Sequence, residues 1–206
     1  MVASPGRLLL AAVLAAVLAG TAIGFYMFEH RGGGGGSAVS VPLPGWLGSA
    51  PRVIEVSSPD FSMGGRIPER FTCDGEDVSP EILIGNVPPE AKSIALIMYD
   101  PDAPAGWFTH WVLYDVPPTV ARIPRAVPPR PVVEGLGLQG VNDFGRIGYG
   151  GPCPPRGHGV HRYIFLVVAL DVPRTGLPPG ASLGQLVERI QGHIVGYGYT
   201  YGTYSR

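Results

Sequence analysis

The sequence predicts an all-β domain with many turns and one helix, preceded by a hydrophobic N-terminal segment. Glycine (31) and proline (23) make up about a quarter of the 206 residues, a proportion that marks disorder where apolar runs are lacking. Here short runs of Val, Ile, Leu, Phe, Tyr and Trp alternate with the Gly/Pro clusters, which is the pattern of strands joined by turns. Only one stretch repeats its apolar residues at helical spacing. No internal repeat is visible.

Residues 1–31 are read as a membrane anchor or signal segment. Leu8–Phe28 is 21 residues without a charge, long enough to span a bilayer core and longer than a secretory signal's apolar region. That length favours an uncleaved signal-anchor, a transmembrane helix with the domain outside the cytoplasm. The small residues Ala15, Ala16, Ala19 and Gly20 leave cleavage and secretion as the alternative. Residues 32–51 form a linker, Gly32–Gly36 being a flexible tether and Pro42 and Pro44 continuing it. The folded domain is then 52–206, roughly the ~150 residues that one core supports.

Within it, strands are expected over 53–56, 82–84, 93–99, 107–116 and 160–171. The last has a continuous apolar middle and reads as a central strand covered on both faces. The helix starts at Ser182, which forms a capping box with Gln185. Leu183, Leu186, Val187, Ile190 and Ile194 follow at helical spacing, and Gly196 is the expected stop. The tail 197–204 alternates Tyr197, Tyr199 and Tyr201, as a final strand with one packed face does.

Charge narrows the function classes. A net charge of -1 with 15% charged residues lacks the basic footprint of a nucleic-acid binder. Lys92 is the single lysine among 15 basic residues, and the arginines are scattered, as compositional bias leaves them. Two cysteines are too few for a disulfide framework.

Two polar clusters lead into strands. In Asp100-Pro101-Asp102-Ala103-Pro104 the prolines fix their own φ and push the preceding residues out of the helical region. The segment is read as extended, with Asp100 and Asp102 on one side, able to orient histidines or bind a cation; as a plain turn, the carboxylates would instead cap backbone amides. His110 lies in the next strand. The second cluster is Gly150-Gly151-Pro152-Cys153-Pro154-Pro155, followed by His161-Arg162-Tyr163. His161 and Tyr163 share a strand face and Arg162 points away. Bare N–H groups of the Gly-rich loop add donors, so imidazole, phenol and amide face an anion, with Asp100 or Asp102 holding an imidazole in one tautomer. His110 and His161 are expected on neighbouring strands.

Two histidines and a carboxylate also form a metal-ligand set. No tight His-x-His or His-x-x-x-His spacing exists, so neither metal nor cofactor is expected. No Gly-x-Ser-x-Gly element supports a serine hydrolase. Cys73 and Cys153 both fall in loops flanking the site; in an exported domain they are a disulfide candidate, the alternative being two reduced thiols.

At these residues the sequence resembles the phosphatidylethanolamine-binding protein family, also called Raf kinase inhibitor protein-like, in its bacterial and archaeal branch. The blocks that carry the resemblance are Phe71 to Pro80, Asp100 to Pro104, Thr109 to Tyr114, Asn142 to Gly145, Tyr149 to Pro155, His161 to Tyr163 and Gly202 to Arg206. The resemblance covers about 57–206. It implies two packed antiparallel sheets, a Greek-key-like β-sandwich, with a C-terminal helix. It implies a small pocket for phosphate-like anions or phospholipid headgroups, lined by Asp100, Asp102, Ala103, Pro104, His110, Gly151, Pro155, His161 and Tyr163. The expected function is ligand binding without catalysis. The alternatives are an interaction module inhibiting a kinase or protease through a protein partner yet unknown, and a hydrolase using the His110/His161 pair.

Overall fold

The segment Ser93–Asp100 becomes a strand buried along its whole length, because both its faces meet apolar layers. The computed structural model describes residues 40–206. In chain order the strands are β1 (Glu55–Ser57), β2 (Ile82–Gly85), β3 (Ser93–Asp100), β4 (Phe108–Val116), β5 (Arg122–Ile123), β6 (Val132–Val133), β7 (Gly137–Gln139), β8 (His161–Leu170) and β9 (Ile194–Tyr204), with the helix α1 (Leu183–Ile190) before β9. Six strands form one sheet in the order β6-β7-β4-β3-β8-β9, and β1, β2 and β5 form a second. Strand neighbours in both sheets are antiparallel.

Alternation along β3 divides the core in two. Ile94, Leu96 and Met98 pack with Trp111, Leu113, Phe165 and Val167 and with Ile82, Ile84 and Ile123 of the smaller sheet. Ala95, Ile97 and Tyr99 face the other way, onto Leu47 and onto Leu186 and Ile190 of α1. Each fully buried aliphatic side chain of this kind contributes about 1.5–3 kcal/mol. Strand β8 is covered on both faces as its continuous apolar run predicts.

The capping box at Ser182 and Gln185 forms, but the helix is not C-terminal and does not run to Gly196. It ends at Ile190, with Gln191 as its C-cap. Gly192, at φ +88°, turns the chain, and Ile194 begins β9 opposite Leu170. Gly196 therefore lies in a strand. In β9 Tyr197, Tyr199 and Tyr201 sit half-buried against the helix-side core, while the alternate positions, Tyr204 among them, are the buried ones. A Cβ at Gly198 would lie 2.0 Å from the Ile54 carbonyl oxygen, so this face admits the close approach of the segment around β1. The short strands β5, β6 and β7 carry too few residues for a periodic signal.

Residues 40–51, read from sequence as the end of the linker, pack onto the larger sheet. Leu47 is buried, Val41, Leu43 and Trp46 cover the same layer, and the Tyr99 hydroxyl donates to the Pro42 carbonyl at 2.8 Å. These residues are part of the compact unit Ser40–Arg206. The Leu8–Phe28 segment and the glycine tether lie outside the described residues. Among the described residues no helix is long and apolar enough to cross a membrane.

Candidate functional site

Asp100 ends β3 and stands at the centre of a hydrogen-bonded cluster. Its Oδ1 accepts the Asp102 backbone N–H at 2.8 Å, which closes a turn after β3 rather than the extended run read from the prolines. The short side chain of Asp outcompetes the extended backbone here. The turn also separates the two carboxylates. Asp100 Oδ2 lies 2.7 Å from His161 Nδ1. Asp102 instead accepts from the Arg162 backbone N–H (2.9 Å), Nε (2.8 Å) and Nη2 (2.6 Å). Those side-chain hydrogen bonds hold its carboxyl below the usual range. Asp102 is thus a partner of Arg162, which strand alternation turns away from His161 as expected.

His110 lies on β4 and His161 opens β8. Both strands flank β3, so the two stand one strand apart and not on neighbouring strands. His110 Nδ1 is 2.7 Å from the Gly150 carbonyl oxygen, and Gly150 N–H returns a bond to the His110 carbonyl at 2.9 Å. A carbonyl only accepts, so Nδ1 carries the proton and a neutral ring keeps its lone pair on Nε2. Burial pushes the His110 pKa down, against the opposing pull of the Gly150 carbonyl and the Asp100 charge. The ring packs edge-on against Phe108, Phe144 and Tyr163.

Tyr163 lies under both imidazoles, with ring centroids 5.2 Å from His110 and 6.4 Å from His161. Among the described residues its buried hydroxyl makes no well-formed hydrogen bond, with Asp100 and the Cys153 backbone as its polar neighbours. Burial and then the Asp100 charge push its pKa far above the ordinary phenol range, so the group stays an O–H donor. An orphaned buried hydroxyl is costly, about 1–3 kcal/mol.

These groups converge on a cavity of about 310 Å³ lined by Asp100, Ala103, Pro104, His110, Pro155 and His161 from the sequence-derived set, joined by Ala105, Phe108, Phe144, Cys153 and Pro154. Three expected residues do not line it. Asp102 faces Arg162. Tyr163 lies behind the histidines. Gly151 gives its N–H to Asp77 Oδ1 at 2.6 Å and serves as a close-packing point, since a Cβ there would lie 2.4 Å from the Phe71 carbonyl oxygen. Phe144 reaches the cavity because Asn142 Oδ1 accepts from the N–H of residues 144 and 146. His158, unremarked in the sequence, places Nδ1 2.7 Å from His161 Nε2; its signal was a histidine three residues before another, between two glycines.

Cys73 and Cys153 form a disulfide, with Cα atoms 5.4 Å apart, that fixes one wall of the cavity. A larger groove of about 720 Å³ runs along residues 76–79 and 126–129. Its Asp77 and Ser79 are already bonded to Gly151 and Val127, so it offers less chemistry. Among the described residues no group of three or more His, Cys, Asp or Glu is placed to hold a metal ion.

A family model for phosphatidylethanolamine-binding protein matches residues 57–205. The chain belongs to the phosphatidylethanolamine-binding protein family. It is 51% identical over 154 residues to a UPF0098 protein of Aquifex aeolicus, covering 75% of this chain and 90% of that one. A UPF0098 protein of Pyrococcus abyssi is 46% identical, with 77% and 89% covered. Among solved structures, a putative phosphatidylethanolamine-binding protein homologue from Chlamydia trachomatis superposes with a TM-score of 0.67 at 36% identity, over 75% of this chain and 99% of that one. Escherichia coli YbcL, of the same family, gives a TM-score of 0.67 at 29% identity, over 74% and 98%. The match to the family spans every residue that lines the cavity.

Proposed function

We propose that the cavity binds a compact phosphate-like anion, free or as a phosphorylated headgroup, without turning it over. The observation that carries this is the convergence of His110 and His161 on one cavity, with Asp100 behind His161. Phosphate oxygens need donors, and the His161 ring, set against the Asp100 carboxylate, can present a charged N–H to them. At about 310 Å³ the cavity is roomier than a bare phosphate requires. The Phe108 and Phe144 rings suit the organic part of a headgroup beside its anionic end. The lining offers no hydroxyl or free thiol nucleophile, Cys153 being in the disulfide, which favours binding over hydrolysis. The disulfide also supports an exported domain, held at the membrane by the uncharged N-terminal segment.

A panel of inorganic phosphate, phosphoethanolamine and glycerophosphate, read by native mass spectrometry of the full chain, tests the reading. One-to-one adducts with unchanged ligand masses are expected. Loss of phosphate from a panel compound, or no adduct with any, would overturn it. Carbonate extraction tests the anchor: the full chain should stay with the membrane pellet.

A further inference from the structure

His158 is exposed and lies on a stretch without regular structure, yet its ring is directed onto His161, with centroids 4.9 Å apart at 65°. The flanking Gly157 and Gly159 have φ of +77° and +100°, conformations that favour glycine. Two such turns within three residues fold the loop so that His158 meets His161. The Gly157 N–H is further tied to the backbone oxygen of Arg206 at 3.2 Å.

The hydrogen bonds of His161 define what His158 does. Its Nδ1 faces the Asp100 carboxylate, which accepts, so that nitrogen keeps its proton whatever the charge of the ring. Nε2 is the nitrogen left for a ligand, and His158 occupies it. One proton lies between the two rings: either His158 Nδ1–H donates to neutral His161, or cationic His161 donates to His158. A second proton on the pair would set two N–H groups against each other at 2.7 Å, and the contact would part.

The surrounding charges favour one positive charge but not two. Asp100, at the end of β3, offsets a single imidazolium. Asp102 also attracts His161 but is paired to Arg162. His110 from β4 and Tyr163 from β8 are held towards their uncharged forms by burial. Arg156 and Arg206, in the same region, lie against Asp74. A second positive charge on the histidine pair therefore calls for an anion.

We propose that His158 is a displaceable cap on the ligand site: it closes over His161 Nε2, and an entering phosphate-like anion takes its place as the His158–His161 pair gains a second proton. The exchange rests on the anion-site reading above. The cap itself is readable without any ligand.

The first measurement is therefore histidine-ring NMR of the full chain. A proton shared between His158 Nδ1 and His161 Nε2 should couple the two ring nitrogens, as their 2.7 Å separation requires. His158→Ala should remove the coupling and open His161 Nε2 to solvent exchange. Two uncoupled, freely exchanging rings in the parent would overturn the cap. The second is calorimetry with inorganic phosphate in buffers of different ionisation enthalpy. Binding should take up close to one proton, so that affinity falls about tenfold per pH unit above the histidine range. In His158→Asn the uptake should drop by at least half and the dependence should flatten to under about threefold per unit. Unchanged uptake would overturn the exchange while leaving the anion site standing. A bridged ring pair with no phosphate heat would instead sink the anion reading, and the exchange with it.

Discussion

Removing the Cys73–Cys153 bond should destabilise the fold mainly by releasing the unfolded chain. The bond joins residues 80 apart. Closing a loop of that size removes about 15 cal/mol/K of chain entropy, equivalent to about 4.5 kcal/mol at 25 °C. Locally the two loops have other ties: the Tyr149 hydroxyl donates to the Phe71 carbonyl at 2.6 Å, and the Cys73 N–H donates to the Pro152 carbonyl at 3.1 Å. The cavity wall should therefore survive in the Cys73→Ala/Cys153→Ala variant while global stability falls by roughly 3–5 kcal/mol. For a domain of this size each kcal/mol is worth about 2–4 °C, so the melting temperature should drop by roughly 6–20 °C. Urea unfolding followed by tryptophan fluorescence gives the free energy, and calorimetry gives the temperature. The denaturant slope should rise, because the uncrosslinked chain exposes more surface when unfolded. A loss under about 1 kcal/mol with an unchanged slope would refute the entropic reasoning. Two free thiols in the denatured, unreduced protein would refute the bond.

Three further outcomes are expected. Gly151→Ala places a Cβ 2.4 Å from the Phe71 carbonyl oxygen and 2.6 Å from Asp77 Oδ1; overpacking against backbone should cost about 2–3 kcal/mol in urea unfolding, and parental stability would show that the loops are not so closely packed. Burial lowers the His110 pKa, so below about pH 6.5 the unfolded chain binds the extra proton first, and stability should be full above that pH and decline beneath it. His110→Gln should flatten the decline between pH 8 and 5.5, and an equal decline in both proteins would place its origin elsewhere. The Asp102 carboxyl is lowered by Arg162, so that pair's contribution is present above the ordinary carboxyl pKa and lost as pH falls through the lowered one. Because both partners are partly exposed, Arg162→Ala should cost only about 1 kcal/mol in urea unfolding at pH 7, and less in acid; an equal cost at both pH values would show that the ion pair contributes nothing.

Long and strongly patterned features were legible in the sequence. The apolar runs of β3, β4 and β8 and the Ser182–Gln185 capping box express local chemistry, and they stand close to where the residues put them. The end of α1 was misread because Ile194 continues a helical spacing by coincidence, and what stops the helix is the turn at Gly192. The helix-side face of β9 was visible as Tyr197, Tyr199 and Tyr201, but its fully buried face consists largely of glycines, which carry no hydrophobic signal. At the site, the two histidines were found because motif and strand alternation agree. Asp102 was misplaced because two prolines suggested an extended chain, whereas one carboxylate–amide bond at Asp100 folds a turn. Gly151 looked like a free donor, and only tertiary packing commits its N–H to Asp77. Phe144 and His158 enter the site from loops whose paths follow from Asn142 and from the glycines at 157 and 159, and neither path has a periodicity to read.

The central claim is that His161, not Arg162, faces the anion, and calorimetric titration of inorganic phosphate into the parent, His161→Ala and Arg162→Ala proteins tests it most directly. His161→Asn, which can keep a donor toward Asp100, serves as the folding control. Loss of a hydrogen bond to a charged group is worth about 1.5–3 kcal/mol, so His161→Ala should weaken binding by roughly 10- to 150-fold. Arg162→Ala should change it less than about threefold, since its guanidinium is engaged by Asp102. If Arg162→Ala abolishes binding while His161→Ala leaves it intact, the anion binds on the opposite face of β8 and the account is wrong.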